Sequence, residues 1–370
     1  MDGNYQFGIE EELFLADAVT RATPDERSLR AFHTAVHDQY PEVERELMQS
    51  QIEIASPPAT SFDEARTYLG RLRSVISQIA TDHSMLLLAS GTHPLAHWSS
   101  QQNTEKPRYE ALTQEMQMVA RRNHVCGMHV HVEVPQSVDR IDLMNRLVPY
   151  LPLLLALSAS SPFWQGRNTG LSAYRLSIWG ELPRTGLPEI FADTEDYERF
   201  VDLMVRTGAI KDASFLWWAI RPSRKYPTLE LRVADSCTSL DTSIAIAALY
   251  RCLVRYAVRN PSVDKGLTGA SRAIVTENLW RAQRYGVRAS FIDEHQNRAI
   301  SCAEFLRTLT DQLAEDADEL GCLSEIERAA DIVTRGTSAD CQIAIADSAS
   351  GDSLMPVVDW IARTTKENSD

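Results

Sequence analysis

Neither a G-x-x-x-x-G-K-S/T loop nor a G-x-G-x-x-G fingerprint occurs in the chain, so a bound nucleotide would have to be held by something other than a glycine-rich backbone cradle. A G-x-S-x-G nucleophile elbow and an H-E-x-x-H zinc helix are missing too. Cysteine is sparse: the six residues, at 126, 237, 252, 302, 322 and 341, include no C-x-x-C pair. A chain of 370 residues builds a core without disulfide staples, which points to reduced thiols in a cytoplasmic protein. The N-terminus lacks a charged-then-apolar leader, and a signal peptide is not expected. The most apolar run, Leu147 to Leu157, is shorter than the ~20 residues of a membrane span. It also holds Pro149 and Pro152 and is expected to be a buried helix rather than a membrane anchor. Positive charge is in deficit: 37 Lys and Arg face 51 Asp and Glu, a net charge of −14, which argues against a nucleic-acid surface. The deficit is local. Residues 301–370 carry 15 acids and 5 bases, a net of −10, which leaves −4 for residues 1–300.

What is present has the composition of a globular protein, 44% hydrophobic and 24% charged. Strand-like segments lie near 5–15, 47–55, 85–91, 125–134, 173–179 and 228–234. Helical periodicity occupies 63–82, capped at Ser61 or Asp63 and carrying Leu69, Leu72, Val75, Ile76 and Ile79 on one face. Further helices are expected at 107–121, 139–158, 195–207, 241–259 and 271–285, and almost throughout from 301. Strands and helices do not alternate strictly, so the fold class is α+β with a mostly antiparallel sheet. Residues 1–300 read as the catalytic unit and 301–370 as a helical C-terminal extension packed on it.

Four of the strands carry their polar residues at one parity. Phe7-Gly8-Ile9-Glu10-Glu11-Glu12-Leu13-Phe14-Leu15 puts Glu10 and Glu12 on one face and Glu11 on the other. Gln51 and Glu53 alternate with Ile52 and Ile54. His129, His131 and Glu133 alternate with Met128, Val130, Val132 and Val134, and Glu230 and Arg232 alternate with Leu229, Leu231 and Val233. Each strand alone fits a solvated outer face or a simple ion pair. Together they describe a sheet with one apolar and one chemical face, and clustered carboxylates with imidazole suit divalent cations. A Gly-flanked loop presents Arg167, and Arg175 follows it; guanidinium forks there could take phosphate or carboxylate.

The chain resembles the bacterial carboxylate–amine ligases of the glutamate–cysteine ligase type 2 group. The resemblance rests on Phe7 to Glu12, Gln51-Ile52-Glu53, Gly91-Thr92-His93-Pro94, Cys126 to Val132, Leu157 to Gly166 with Thr169-Gly170, Arg221-Pro222, Thr228 to Asp235 and Glu277 to Ala282, in family order. It implies a fold similar to the catalytic domain of glutamine synthetase, an antiparallel sheet that forms a cleft. It implies ATP-dependent amide formation with two or more Mg²⁺ or Mn²⁺ ions, held by Glu10, Glu12, Glu53, His129 and Glu230. Nucleotide contacts would come from Arg232, His131 and Arg281, and Arg232 with Arg175 would act on the transferring phosphoryl group. The implied partners are a small carboxylate and a small amine, with glutamate and cysteine the namesake pair. A homodimer is the expected assembly, with no nucleic acid and no membrane. Two other readings stay open at this point: a metal-dependent hydrolase built on His129 and His131, and a non-catalytic nucleotide-binding relative.

Overall fold

The computed structural model describes residues 3–349, 351 and 353–367. Its centre is a seven-stranded antiparallel sheet. The strands are β1 (Phe7–Asp17), β2 (Glu44–Arg45), β3 (Gln51–Ala55), β4 (Met85–Leu88), β5 (Met128–Glu133), β6 (Ile220–Pro222) and β7 (Thr228–Leu231). They lie in the order β6-β7-β5-β1-β3-β2, with β4 paired to the distal end of β1. The eleven-residue β1 is long enough to serve two neighbours along one edge, β5 at Phe7 to Glu11 and β4 at Phe14 to Asp17.

The alternation anticipated from the residues holds. Phe7, Ile9, Leu13, Leu15, Ile52, Ile54, Met128, Val130, Val132, Leu229 and Leu231 are all buried on one face. The helices Phe62–Asp82 and Leu240–Arg259 cover that face. Glu11 points into this apolar layer, where Arg73 binds both its oxygens at 2.8 and 2.7 Å and Ser243 donates to it at 2.6 Å. Arg73 belongs to the first of these helices and Ser243 to the second, so one buried carboxylate ties both helices to the sheet. Such a pair is strongly destabilising to break because its partner charge is then buried alone.

Arg140–Ser158 is apolar and long enough to cross a membrane by composition, yet 78% of its most apolar window is buried inside the fold. Pro149 and Pro152 break it into Arg140–Leu147, a 3₁₀ turn at Val148–Tyr150 and Leu151–Ser158.

Several local expectations change. Residues 173–179 are not a strand: Arg175–Trp179 is a short helix whose buried Arg175, Leu176, Ile178 and Trp179 sit at helical spacing. The helix expected at 107–121 breaks at Gln117, which has φ +50°, into Pro107–Met116 and Met118–Arg122. Glu26–Gln39 is a helix that periodicity did not single out, capped by Asp25 and buried through Leu29, Phe32, His33 and Val36.

The C-terminal residues form the helices Cys302–Glu319, Leu323–Arg335, Ser338–Ser348 and Met355–Lys366. The first two stack on Leu240–Arg259 and share its core. The last sets Val357, Val358 and Ile361 against Phe14, Ala16 and Leu88. Phe14 and Ala16 have the parity of Glu10 and Glu12, so this helix closes the distal half of the chemical face. The proximal half is left open as a cleft.

Candidate active site

The pairing register decides which polar side chains meet. Glu10 lies opposite His129, Glu12 opposite Glu53, and His131 opposite Glu230. Directly opposed residues of antiparallel strands point to the same face. Glu10, Glu12, Glu53, His129, His131 and Glu230 therefore converge on the floor of a cleft of about 480 Å³, which Arg175 and Arg232 also line. His129 Nδ1 is 3.2 Å from Glu10 Oε2, and its Nε2 is 3.9 Å from Glu12 Oε1. His131 Nε2 is 3.4 Å from Glu10 Oε1, and its Nδ1 is 3.0 Å from the Thr228 hydroxyl. Gly127 N–H donates to Glu12 Oε2 at 2.6 Å.

Charge on this floor is divided unevenly. Burial opposes ionisation of Glu10, but hydrogen bonds with His129 and His131 hold its carboxyl well below the usual carboxylate range. Burial opposes Glu230 likewise, and Arg232 followed by Arg221 hold it well below that range. Arg221 grips Glu230 from β6 at 2.8 and 3.1 Å, and Arg232 bonds it from just past the end of β7. Glu53 is pushed well above 4.5 by burial and then by the nearby Glu46, Glu10 and Glu12. Burial and then Glu12 push Glu46 up to about 7. Burial, and then Arg232, push His129 below 6.5.

Two sets of side chains have the spacing of a cation site: Glu10, His129 and Glu230, and Glu12, Glu53 and His129, with ligand atoms within 4.8 Å of one another. His129 Nε2 is buried and has no hydrogen-bond partner among the described residues. A neutral imidazole has one free lone pair, so His129 serves only one of the two positions at a time. An all-oxygen-plus-imidazole donor set fits Mg²⁺ or Mn²⁺ and not a thiolate-seeking ion.

Arg175 lies flat over the α carbon of Gly127, where a Cβ would fall 2.1 Å from its Nη2. Its Nη groups donate to the Val233 and Arg232 carbonyls at 3.3 Å, and it faces the Trp179 ring at 5.4 Å. The Nε of Arg175 and the Nε of Arg232 are both buried without a partner among the described residues. Arg281 is not brought to the cleft. It sits on Gly269–Tyr285, where its Nε is bonded to Glu277 at 2.8 Å and its Nη1 to the Ser290 carbonyl.

Residue patterns did not single out several cleft groups. Glu46 follows the two-residue strand β2, too short to show a period; its Oε2 accepts from Leu47 N–H at 3.1 Å and lies 3.5 Å from the Tyr109 hydroxyl. Arg221 carried a signal, since it stands in the Arg221-Pro222 pair, but only the β6–β7 register shows that it faces Glu230. Trp179, Phe215 and Trp217 form an aromatic wall at the side of the cleft, and Arg108 lies over Phe215.

The family model described as glutamate-cysteine ligase family 2 matches residues 6–358. A Bradyrhizobium diazoefficiens protein provisionally named glutamate–cysteine ligase 2 is 44% identical over 365 residues, 98% of this chain and 84% of that one. An Ectopseudomonas mendocina protein with the same provisional name is 41% identical over 372 residues, 97% of each chain. Among solved structures, a glutamate–cysteine ligase of Francisella tularensis in complex with AMP superposes with a TM-score of 0.68 at 14% identity, over 99% of this chain and 89% of that one. A bifunctional glutathione synthetase of Pasteurella multocida gives a TM-score of 0.70 at 15% identity; 98% of this chain is covered, and the chain spans about half (52%) of that longer protein.

Proposed function

We infer that the chain, which belongs to glutamate-cysteine ligase family 2 and is by that membership a ligase, joins a carboxylate to an amine at the expense of ATP. The carrying observation is the convergence of Glu10, Glu12, Glu53, His129 and Glu230 on one face, beside two arginines that each keep an unpartnered buried N–H. Glu10 and Glu230 would hold one divalent ion, and Glu12 and Glu53, with the free Nε2 of His129 and with Glu46 beside them, a second. Such ions would supply neutralisation of the phosphate charge.

In the first half-reaction a substrate carboxylate oxygen attacks the γ-phosphorus of ATP, the bond to the bridging oxygen breaks, and ADP leaves. In the second, the amine attacks the acyl carbonyl, its nitrogen gives up a proton to solvent, the C–O bond breaks, and inorganic phosphate leaves with the electron pair. Negative charge develops on the transferring phosphoryl oxygens, where preorganised guanidinium donors are most effective. Arg232 and Arg175 fill that role from the cleft floor. Glu230 and Arg221 fix Arg232 from below, and His131 holds Glu10 in place while Thr228 holds His131. The glutamates set the cleft apart from a histidine-rich hydrolase site: among the described residues its lining has only two histidines, and both lean on Glu10.

Glutamate and cysteine are the first pair to try. The enzyme is taken as a cytoplasmic homodimer, which sedimentation would check. The chemistry is tested by incubating the protein with Mg²⁺, ATP, hydroxylamine and a panel of carboxylic acids. Hydroxylamine intercepts an acyl phosphate whatever the natural amine, and a hydroxamate from one acid identifies the donor. Glu10→Gln and Glu230→Gln should each abolish the signal in a folded protein. Hydroxamate yields equal to wild type in both variants would refute the assigned roles.

A further inference from the structure

Asp235 ends the Thr228 to Asp235 segment, and strict alternation puts it on the face opposite Glu230 and Arg232. The structure turns it round. Leu231 pairs with Val130 and Asp235 pairs with Gly127, so four steps along one strand match three on its partner. One extra residue is accommodated between 231 and 235. A bulge of this kind re-aims side chains and is common beside active sites. It brings Asp235 to the cleft face of the sheet, opposite the glycine over which Arg175 lies.

There Asp235 is fully buried, and its Oδ2 accepts the Ser161 hydroxyl at 2.6 Å and the Ser160 N–H at 3.1 Å. The Ser161 oxygen in turn accepts the backbone N–H of Arg175 at 3.0 Å, at the start of the helix Arg175–Trp179. The carboxylate takes the only hydroxyl proton, so the Ser161 lone pairs are left to face Arg175. The site has no slack: a Cβ on Gly91 would fall 2.6 Å from Asp235 Cγ. Asp235 Oδ1 is buried with no hydrogen-bond partner, and no carboxylate comes within salt-bridge distance of Arg175 among the described residues. The guanidinium is therefore held by backbone carbonyls and by the helix start that Ser161 caps.

We propose that Asp235 and Ser161 are positioning residues that set Arg175 over Gly127 through the relay from the Asp235 carboxylate to the Ser161 hydroxyl to the Arg175 backbone. The inference rests on the ligase reading only in taking the transferring phosphoryl group as the anion Arg175 meets. Misplacing such a donor by about 1 Å costs on the order of 100-fold in rate.

The test is a double-mutant cycle between Ser161→Ala and Arg175→Met, with Ser161→Thr as the conservative variant and melting curves on every protein. Hydroxamate formation is read as kcat and KM for ATP. In parallel, the affinity for Mg·ADP with aluminium fluoride, a mimic of the phosphoryl group in flight, is read by calorimetry. Ser161→Ala should lower kcat and analogue affinity by about 10- to 100-fold with KM for ATP within about 2-fold, Ser161→Thr should restore most of the loss, and on the Arg175→Met background the same change should cost less than about 2-fold. Asp235→Asn, which keeps the shape and loses the charge, should follow Ser161→Ala. Equal losses from Ser161→Ala in both backgrounds would overturn the relay. Tight analogue binding without hydroxamate from any carboxylate would count against the acyl-phosphate reading alone, and the analogue cycle would still decide the relay.

Discussion

Replacing Glu46 by glutamine should make the metal-free enzyme more stable at pH 8, although it removes a charged cleft residue. Glu46 shares a half-buried corner with Glu53 and Glu12, and burial and then Glu12 raise it from 4.5 to about 7. The folded protein therefore binds this proton more tightly than the unfolded chain does. Stability from the group is complete below about pH 4.5 and is lost as pH rises through about 7. Ionising Glu46 in the fold costs up to about 3 kcal/mol on this basis. With a melting entropy of ~2.1 cal/mol/K per residue, the chain loses ~0.8 kcal/mol per kelvin, so Glu46→Gln should raise the melting temperature by up to ~4 °C. The assay is thermal denaturation in chelator at pH 5 and pH 8, followed by the same series with Mg²⁺. At pH 5 the variant should melt within ~1 °C of wild type. At pH 8 the variant should melt higher in chelator, and Mg²⁺ should stabilise wild type more than it does at pH 5. A variant that melts at or below wild type at pH 8 in chelator would refute the account of a crowded acid cluster.

Glu11→Ala should act on stability and not on chemistry. It leaves Arg73 buried without its carboxylate, a loss of about 3–5 kcal/mol, and hydroxamate formed per folded molecule should match wild type; a stable but inactive variant would contradict this. Gly127→Ala should do the opposite. Its Cβ would sit 2.1 Å from Arg175 Nη2, so the guanidinium must move, and turnover should fall at least ~10-fold while melting changes little. Arg281→Ala should leave ATP affinity within about 2-fold by calorimetry, because this side chain is committed to Glu277 outside the cleft. A large loss of affinity would return Arg281 to the nucleotide site.

Whatever depends on alternation along one strand was legible in the residues. Glu10, Glu12, Glu53, His129, His131 and Glu230 were assigned one face and Glu11 the other, because a side-chain period of two is a local property of extended backbone. The helix Phe62–Asp82 was legible for the same reason at a period of 3.6. Only the tertiary structure decided the rest, since register, bulges and packing join residues that share no local pattern. It took the extra residue between Leu231 and Asp235 to turn Asp235 toward Gly127 and the Ser161 hydroxyl, buried beneath Arg175. The β6–β7 register set Arg221 on Glu230, and a two-residue edge strand carried Glu46 to Glu53. The segment 173–179 alternates like a strand, yet it coils once Ser161 caps it and Trp179 finds its place under Arg175. Arg281 shows the limit of motif membership: a residue can stand in a family pattern and still lie on a helix whose own Glu277, four residues away, claims its charge.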